Sequence, residues 1–522
     1  MKWLSCTQIY EIFPFPGDVF LSILHFYPMG TLNSAREGIS CIAVDMGAGS
    51  IRVMLGTVDN ELLKLTEVHR FDNEIQMLEG RETWDLEHTF REIRRGISMA
   101  IRQSGDVPLS IGVDSWGVDY VLMDAHGDLV EPPVAYRDKR TEGMQEKWRT
   151  RMSDAETFSR TGINFYIFNT LYQLLSAEGS AGLRRSSRIL FIPSYMNYLL
   201  SGQAVNELTI ASTSQMLRVQ DDSWDKEILG MLNLDESKLG RVVPPGTRLG
   251  PVRLGEFQQY RMENVAVCGH DTACVVAALP VENPDFAFIS AGTWCIVGLE
   301  SEKPLISEQA RALGITNERA YGNLYRPLKN IVGLWLLQGL RRELQAGISY
   351  EQMEEMIREE AAITQVIDPD APLFYNPDSM KGAFRAFFEK TGQTVPARFS
   401  DYIRCAYDSL CFSFRFHTEE LEKLSGKPIE VLHLVGGGSQ SDYLCQRVAT
   451  LCRRKVVAGP VEGASMGNIL IQALAMGRIS SLKEGRELVK KSCRVRKYQP
   501  APASADLEER YKKYLILKQH RS

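Results

Sequence analysis

Apolar residues recur along this chain with the two-residue period of strands and the 3.6-residue period of helices, in an order that is used twice. The first pass predicts strands over residues 41–46, 51–57, 62–70 and 109–114, with a helix over 87–104. The second pass predicts strands over 286–292, 293–299, 321–326, 429–435 and 454–461, with helices over 331–345, 440–452 and 464–476. The repeat lies in the order of elements and not in the residues themselves, which predicts two domains of one architecture.

Three strands, a helix and a further strand form the order of a ribonuclease-H-like domain. Two such domains facing each other make the actin/hexokinase-type arrangement, in which each half offers a phosphate-binding hairpin to a nucleotide held between them. We therefore predict an α/β fold with two ribonuclease-H-like domains and an interdomain cleft. Fold alone does not decide chemistry, which has to come from the residues of the site.

The division of the chain is indicated by breaks in this pattern. Residues that favour turns and loops interrupt it between the two passes: Pro280, Glu282, Asn283 and Pro284. We predict an N-terminal domain over 40–282 with the phosphate loop and sugar site, a C-terminal domain over 283–480 with the nucleotide site, and a charged helical extension over 481–522.

Residues 1–39 do not share the periodic pattern of the rest of the chain. They are apolar and aromatic but are interrupted by acids and prolines: Glu11, Pro14, Pro16, Asp18 and Pro28. They therefore predict neither a membrane-spanning helix nor a signal peptide. We expect a poorly ordered N-terminal extension, or an upstream extension with Met29 as the working initiator.

The composition, with 44% apolar and 24% charged residues and a formal net charge of −5, is typical of a soluble globular protein. At 522 residues the chain is too long for one hydrophobic core. Without a basic stripe, nucleic acid is not an expected partner, and neither is a membrane. The ten cysteines form no CxxC pair, and five lie in apolar runs: Cys268, Cys274, Cys295, Cys405 and Cys411. Such cysteines indicate a reducing cytoplasm, with disulfide pairing as the alternative.

The most informative segment is CIAVDMGAGSIR at 41–52, where a small-residue turn joins two short strands. Gly47 and Gly49 allow backbone N–H groups to approach anionic oxygens closely. Asp45, at the entrance of the turn, would face the metal ion that accompanies phosphates. The segment matches neither GxxxxGK[ST] nor GxGxxG, so neither a P-loop nor a Rossmann site is indicated. An ordinary tight hairpin is the alternative.

Two further glycine turns stand at strand ends in the second half of the chain. In SAGTW (290–294), Gly292 lets the backbone approach a phosphate and Thr293 offers a hydroxyl. In VGGGSQSDY (435–443), three glycines between a strand and a helix leave room for a flat ring. A plain hairpin and a loop linker are the alternatives.

Asp271 lies in CGHDTACVVAALP (268–280), at the start of an apolar helix that Pro280 ends. The helix N-terminus stabilises a carboxylate by about 0.3–1 kcal/mol, so we expect Asp271 to stay ionised, and a structural N-cap is the alternative. If a sugar hydroxyl docks beside it, Asp271 can accept the proton during phosphoryl transfer. Glycine turns for a nucleotide and an acid for a hydroxyl together indicate a small-molecule kinase.

Seven segments stand in one order: VDMGAGSIR, DSWGVDYVL, AYRDKRT, GHDTA, SAGTW, LKNIVGLWLLQ and VGGGSQ. Each is weakly specific, but the ordered set is highly specific, and on it the chain resembles the FGGY carbohydrate kinases over about residues 40–500. LKNIVGLWLLQ and GPVEGASMGNI are more similar to the members that act on L-rhamnulose than to glycerol kinase or xylulokinase.

The resemblance implies ATP-dependent phosphorylation of L-rhamnulose at its 1-hydroxyl in rhamnose catabolism, with Mg²⁺ shielding the phosphate charge. It implies a nucleotide site formed by Ala48, Gly49, Ser50, Ile51, Arg52, Thr293, Gln338 and Gly437. It implies a sugar site formed by Gly117, His270, Asp271, Thr272 and Asn330, with Asp271 as general base. Asp45 as the metal-side carboxylate is inferred from its place in the turn.

Some assignments keep an alternative. Gln338 lies on a mostly apolar helix, where a buried structural amide also fits. Trp116 and Trp294 are predicted to pack in the interior rather than to form sugar platforms.

The chain departs from the family pattern at two places. The turn usually reads Ala-Ser-Ser-Gly-Arg, whereas here Gly49 and Ile51 replace a serine and the glycine, which predicts weaker ATP binding at most. Ser194 stands where the family commonly has Asp. A kinase for fuculose or xylulose, and a non-catalytic sugar or nucleotide sensor of the actin superfamily, remain open, as do a monomer and a homodimer.

Overall fold

The computed structural model describes residues 38–105, 107–344, 347–358, 363–502 and 504–519. The predicted N-terminal extension lies outside the described residues except for its last two positions. The strands of the first half are β1 (Ile39–Met46), β2 (Ser50–Val58), β3 (Leu63–Asp72), β4 (Ile75–Leu78), β5 (Arg81–Trp84), β6 (Ser110–Ser115), β7 (Tyr120–Met123), β8 (Arg188–Phe191), β9 (Asn206–Glu207), β10 (Val242–Val243), β11 (Thr247–Pro251) and β12 (Glu263–Ala266). Its helices are α1 (Leu86–Gln103), α2 (Met144–Arg149), α3 (Asp154–Thr161), α4 (Thr170–Ser176), α5 (Ala181–Arg185), α6 (Ile192–Ser201), α7 (Leu208–Ala211), α8 (Lys226–Met231) and α9 (Asp271–Ala277).

The second half begins directly after the predicted break. Its strands are β13 (Phe286–Ala291), β14 (Trp294–Gly298), β15 (Thr316–Arg319), β16 (Tyr325–Val332), β17 (Val431–Val435), β18 (Lys455–Ala458) and β19 (Arg496–Tyr498). Its helices are α10 (Glu308–Ala312), α11 (Trp335–Glu343), α12 (Tyr350–Arg358), α13 (Met380–Lys390), α14 (Phe399–Ser425), α15 (Asp442–Cys452), α16 (Gly463–Ala475), α17 (Leu482–Ser492) and α18 (Ala505–Gln519).

The two main sheets share one strand order when one of them is read from its opposite end, and the second sheet has β15 as an additional edge strand. The first runs β11-β12-β6-β1-β2-β3 and the second β15-β16-β14-β13-β17-β18-β19. In the first sheet β1 pairs antiparallel with β2 and parallel with β6, and in the second sheet β13 pairs antiparallel with β14 and parallel with β17. The predicted α/β fold with two ribonuclease-H-like domains is confirmed.

Local sequence signals explain where several helices start. Asp85 caps α1 by accepting a hydrogen bond from the N–H of His88 (2.9 Å), and Ser153 and Ser481 cap α3 and α17 in the same way. Buried apolar residues at helical spacing, such as Ile93, Ile97 and Ala100 in α1, then hold the helix against the sheet.

One stretch of the second half was predicted wrongly. Residues 321–323 form a short 3₁₀ helix rather than a strand, and β16 extends to Val332, so α11 begins at Trp335 and not at residue 331. The reason is sheet register: Ile331 and Val332 pair with Cys295 and Trp294 of β14. Apolar residues at this junction fit either a strand or a helix, and strand pairing decides between them.

Helix α16 joins the two halves. It follows β18 of the second sheet in the chain but packs on the first sheet, where Gln472 Nε2 donates to the carbonyl of Ile42 (2.9 Å) and Asn468 Nδ2 donates to that of Gly112 (3.2 Å). Apolar residues of α16 and α17 share a core cluster with β1 and β2. The predicted division at 282/283 stays a prediction, and this packing brings a C-terminal helix next to the turn at 47–50.

The nine cysteines in the described part of the chain are free thiols, eight of them buried. The five cysteines expected to behave as small apolar residues are each 0% exposed. Across the described ranges, no helix combines the length and the apolar content that crossing a membrane requires.

Candidate active site

A cavity of about 1080 Å³ lies between the two halves. Side chains from both sequence halves line it, among them Trp116, Gly117, Thr213 and His270 from the first and Trp294, Glu318 and Asn330 from the second. Of the predicted sugar-site residues, Gly117, His270 and Asn330 therefore face one space. Asp271 and Thr272 come directly after His270 at the start of α9.

Sheet pairing brings Gly117 and His270 together. The loop after β12 extends the first sheet, because the N–H of Ser115 donates to the carbonyl of Gly269 (2.9 Å). A Cβ built on Gly117 would lie 3.6 Å from His270 Nε2 and 3.5 Å from Thr213 Oγ1. Glycine at position 117 thus keeps open the space beside the His270 ring.

Asp271 is the first helical residue of α9, and His270 occupies the N-cap position. Oδ1 of Asp271 accepts hydrogen bonds from the N–H and from the hydroxyl of Thr272, the latter at 3.0 Å. The same oxygen lies 3.5 Å from His270 Nε2. The side chain stays 31% exposed. Burial raises the pKa of Asp271, with a further rise from the charge of Asp45, while His270 opposes both.

His270 is held by two residues that the sequence motifs did not identify. Its Nδ1 lies 2.9 Å from Glu318 Oε2, and Arg326 Nη2 donates to the same carboxylate at 3.0 Å. Burial alone would raise the pKa of Glu318, but His270 and Arg326 outweigh it and lower that pKa. An Nδ1–H donated to Glu318 leaves Nε2 directed toward Asp271 and Gly117. The local sequence around Glu318, TNER, carries no recognisable motif.

Glu207 holds the loop that precedes α9 through hydrogen bonds to its carboxylate. It accepts hydrogen bonds from the N–H groups of Gly269 (2.7 Å), Thr209 (2.9 Å) and Ile210 (3.1 Å). Burial raises the pKa of Glu207 to about 7, although these hydrogen bonds act to lower it. The loop that carries His270 and Asp271 is therefore tied to the N-terminus of α7.

The first glycine turn is a tight hairpin with an open outer side. The N–H of Gly47 donates to the carbonyl of Ser50 (3.0 Å), and Asn73 bridges the turn through the carbonyls of Gly47 and Gly49. A Cβ built on Gly49 meets no described atom within 4 Å. The side chain of Ile51 is fully buried, so any contact of this residue with a phosphate would come from its backbone.

Charged side chains fix the base of this turn. Asp45 Oδ2 accepts from Arg52 Nη2 (2.6 Å) and from the hydroxyl of Ser465 in α16 (2.8 Å), and Arg52 also pairs with Glu462. The guanidinium of Arg52, a residue predicted to belong to the nucleotide site, therefore has two carboxylate partners. The predicted metal-side carboxylate is in turn tied to the second half of the chain.

A second buried acid stands next to Asp45. Asp114 is its strand neighbour in β6 and accepts from Asn468 Nδ2 (2.6 Å). Burial and the charge of Asp45 raise the pKa of Asp114 well above its ordinary value. Asp114 Oδ1 and Ser115 Oγ are buried without a hydrogen-bond partner among the described residues. Such oxygens fit the environment of a hydrated cation.

Helices α9 and α16 touch. A Cβ built on Gly467 of α16 would lie 1.9 Å from the carbonyl oxygen of Cys274 in α9. Only glycine permits this approach. Helix α16 therefore contacts both the helix that carries Asp271 and Asp45 at the entrance of the turn at 47–50.

The second glycine turn is held by backbone groups. The N–H of Gly333 and that of Trp335 donate to the carbonyl of Thr293 (both 3.2 Å), and the N–H of Leu334 donates to that of Gly292 (2.9 Å). Gln338 Nε2 donates to Thr293 Oγ1 at 3.1 Å and keeps partial exposure. Two of the predicted nucleotide residues are thus in direct contact.

The glycine-rich loop 436–440 packs against the same turn. A Cβ built on Gly438 would lie 2.6 Å from Cβ of Ala291, whereas one built on Gly437 meets no described atom within 4 Å. The loop is anchored at Gly438 and open at Gly437. This open face can accept a flat ring.

The two tryptophans behave differently. Trp116 is 6% exposed and packs on Trp84 with ring centroids 4.5 Å apart, as predicted. Trp294 is 58% exposed and lines the cavity, so its prediction as a packing residue is wrong. It stands at the first position of β14, directly after the turn, and is the one exposed residue of that strand.

Both halves of the chain match models of one protein family. Residues 40–279 match the N-terminal domain of the FGGY family of carbohydrate kinases, and residues 287–476 match the C-terminal domain of that family. The rhamnulokinase of Bacillus subtilis (strain 168) is 35% identical over 461 residues, which cover 88% of this chain and 95% of that protein. The rhamnulokinase of Pectobacterium carotovorum subsp. carotovorum is 39% identical over 485 residues, which cover 92% and 96%.

Solved structures show the same fold at low identity. Gluconate kinase from Lactobacillus acidophilus matches with a TM-score of 0.78 at 15% identity, over 93% of this chain and 98% of that chain. Plasmodium falciparum glycerol kinase with ADP matches with a TM-score of 0.76 at 15% identity, over the same shares. The chain belongs to the FGGY family of carbohydrate kinases.

Proposed function

We propose that this protein is an ATP-dependent kinase that phosphorylates the 1-hydroxyl of L-rhamnulose. The observation that carries the proposal is the cavity in which Gly117, His270 and Asn330 converge next to the Asp271 carboxylate. Relatives that cover most of the chain are named rhamnulokinase. The family membership supports a carbohydrate as the acceptor.

The sugar would lie in the cavity against His270 and Asn330. A ketose needs directional donors and acceptors, which the imidazole and the amide supply. Glu318 fixes the imidazole, and Gly117 leaves room for the sugar beside it. Thr213, which lines the same wall, offers a further hydroxyl.

The nucleotide would lie across the two glycine turns. Backbone groups of 48–52 would hold the phosphates, with Thr293, Gln338 and Gly437 completing the site. The open faces over Gly49 and Gly437 fit such a ligand.

A magnesium ion would lie at Asp45. Among the residues that the structure describes, no three acidic, histidine or cysteine side chains converge as a metal cage. Magnesium commonly takes one or two carboxylates together with phosphate and water, which fits Asp45 beside the unpartnered Asp114 oxygen. When bound, it would neutralise charge on the transferred phosphoryl group.

Asp271 would accept the proton of the sugar hydroxyl as the bond to phosphorus forms. Its raised pKa brings it closer to the operating pH, which favours a general base. Its side chain is 31% exposed, so the carboxylate is accessible to a ligand that lies beside His270. Closure of the halves would exclude water and prevent hydrolysis of ATP.

A panel of ketoses with ATP and Mg²⁺ tests the proposal. We expect ADP release with the highest kcat/KM for L-rhamnulose, and phosphorus NMR of the product should place the ester at the 1-hydroxyl. If kcat/KM is higher for fuculose or xylulose than for L-rhamnulose, that ketose is the substrate and L-rhamnulose is not. If no sugar of the panel causes ADP release, the alternative of a non-catalytic sugar or nucleotide sensor is favoured. The cytoplasmic location and the choice between monomer and homodimer stay predictions.

A further inference from the structure

We propose that the C-terminal helix α18 positions the junction of the sugar and nucleotide sites, through Lys518 acting on Asp370. This inference rests on the proposed function, because it concerns the same site. It assigns a role to the charged C-terminal segment, which the predicted chemistry leaves unused.

Helix α18 is docked firmly on the second half. Tyr511 and Tyr514 are buried, and Tyr511 donates its hydroxyl hydrogen to Glu419 in α14 (2.6 Å). Arg510 is 5% exposed and pairs with the fully buried Asp408 of α14. The end of the helix therefore has a fixed place relative to the cleft.

Lys518, in the last turn of α18, reaches the wall of the cavity. Its Nζ lies 3.0 Å from Asp370 Oδ2 and 2.9 Å from Asp368 Oδ1, and its side chain is 13% exposed. Lys518, Asp370 and His417 all line the cavity that holds Gly117 and His270. The terminal helix thus contributes directly to the substrate cleft.

Asp370 links Lys518 to β16, because each of its two carboxylate oxygens contacts one of them. Its other oxygen, Oδ1, accepts from the N–H of Val332 at 2.9 Å. Val332 lies two residues after Asn330, the predicted sugar ligand. It also lies directly before the three residues whose N–H groups hold the turn at Gly292 and Thr293. One carboxylate therefore fixes the point at which the two half-sites meet.

The charges around Asp370 match this role. Burial alone would raise the pKa of Asp370, but the neighbouring His417, whose Nε2 lies 3.9 Å from Asp370 Oδ2, and the charge of Lys518 outweigh it and hold that pKa below its usual range. An ionised Asp370 accepts the Val332 N–H more strongly than a neutral one. Removing Lys518 leaves buried carboxylates without their cation, which forces them to shift or to take up a proton.

Lys518→Met tests the inference, with Lys518→Arg as the rescue and Lys512→Met, at an exposed lysine of the same helix, as the control. We expect Lys518→Met to raise KM for both ketose and ATP by about threefold to tenfold, with kcat changed less than about twofold. Lys518→Arg should restore both KM values, and Lys512→Met should leave them unchanged. Each variant is assayed well below its own melting temperature.

A lowered melting temperature with unchanged KM values in Lys518→Met would overturn the inference, because it would reduce Lys518 to a stabilising residue. If Lys518→Met does not fold, Asp370→Asn decides. The amide oxygen of the asparagine can still accept from the N–H of Val332, but one of the two carboxylate charges that hold Lys518 is lost, and only Asp368 remains. KM values equal to those of the wild type in that variant would equally overturn the inference.

Failure of the proposed function is recognised separately. Calorimetric titration with ADP measures nucleotide binding without turnover, so weaker ADP binding in Lys518→Met supports the positioning role even if the wild type phosphorylates another sugar. A wild type that acts on none of the ketoses contradicts the proposed function alone.

Discussion

The glycine turns at 47–50 and 292–293 occupy equivalent places in the two sheets but are held by different interactions. At the first turn, Arg52 pairs with Asp45 and with Glu462, the residue directly before α16. Asp45 also accepts a hydrogen bond from the hydroxyl of Ser465 in α16. At the second, the fastening comes from backbone N–H groups of residues 333–335. A turn held by side-chain charges depends on its residues, whereas one held by backbone groups depends on sheet register.

The same contrast extends to the acids. Asp45, Asp114 and Asp271 all belong to the first half, and the charge of Asp45 raises the pKa of both others. In the second half, Thr293, Gln338 and Gly437 are uncharged. The acids predicted to bind the metal and to accept the proton thus lie in the first half, whereas the residues of the second half predicted to bind the nucleotide carry no charge.

Removing the charge of Asp271 should have the largest effect. We expect Asp271→Asn to lower kcat by about 10²–10⁴-fold, because the sugar hydroxyl then lacks its proton acceptor, with both KM values changed only a few-fold. Steady-state kinetics measure this, with Asp378→Asn, at an exposed acid, as the control. A kcat close to that of the wild type would mean that another group takes the proton.

Breaking the ion pairs at the first turn should come next. Arg52→Met leaves Asp45 and Glu462 without their shared cation, and a charged hydrogen bond contributes about 1.5–3 kcal/mol. We expect KM for ATP to rise by about tenfold or more while KM for the ketose stays within about twofold. Equal changes in both constants would show that the turn serves the whole cleft.

Acid should destabilise the second half through two neutral histidines. Burial lowers the pKa of His433 to about 3 and that of His417 to about 4, from an ordinary 6.5. Because the unfolded chain binds these protons first, their contribution is present above pH 6.5 and is lost as the pH falls toward 4.

The expected loss is up to about 1.4 kcal/mol per pH unit for each histidine. Denaturant unfolding at about pH 7 and about pH 5 measures it, and His433→Phe should make the difference smaller. The same pH dependence in wild type and variant would assign the acid sensitivity to other groups.

The smallest effect is expected at the second turn. Thr293→Val removes the hydroxyl that Gln338 contacts, and a neutral hydrogen bond contributes about 0.5–1.5 kcal/mol. We expect KM for ATP to rise by about twofold to tenfold with kcat nearly unchanged. A rise as large as that of Arg52→Met would remove the distinction between the two turns.

Local patterns in the sequence determined the order of elements, the turn at 47–50 and the helix start at Asp271. These features depend on residues near each other in the chain: alternation, glycine turns and the Pro280 stop. The predicted boundary between β16 and α11 was wrong because the apolar residues near it do not report the register of β16 with β14.

Only the tertiary structure decided which distant side chains meet. Ser465 reaches Asp45 across 420 positions, and Glu318 reaches His270 from a strand without a motif. It also decided that Trp294 faces the cleft and that Lys518 reaches its wall. Periodicity assigns a residue to a face of its own element, but the partner on the opposite face depends on how whole sheets and helices pack, which no local window of the sequence contains.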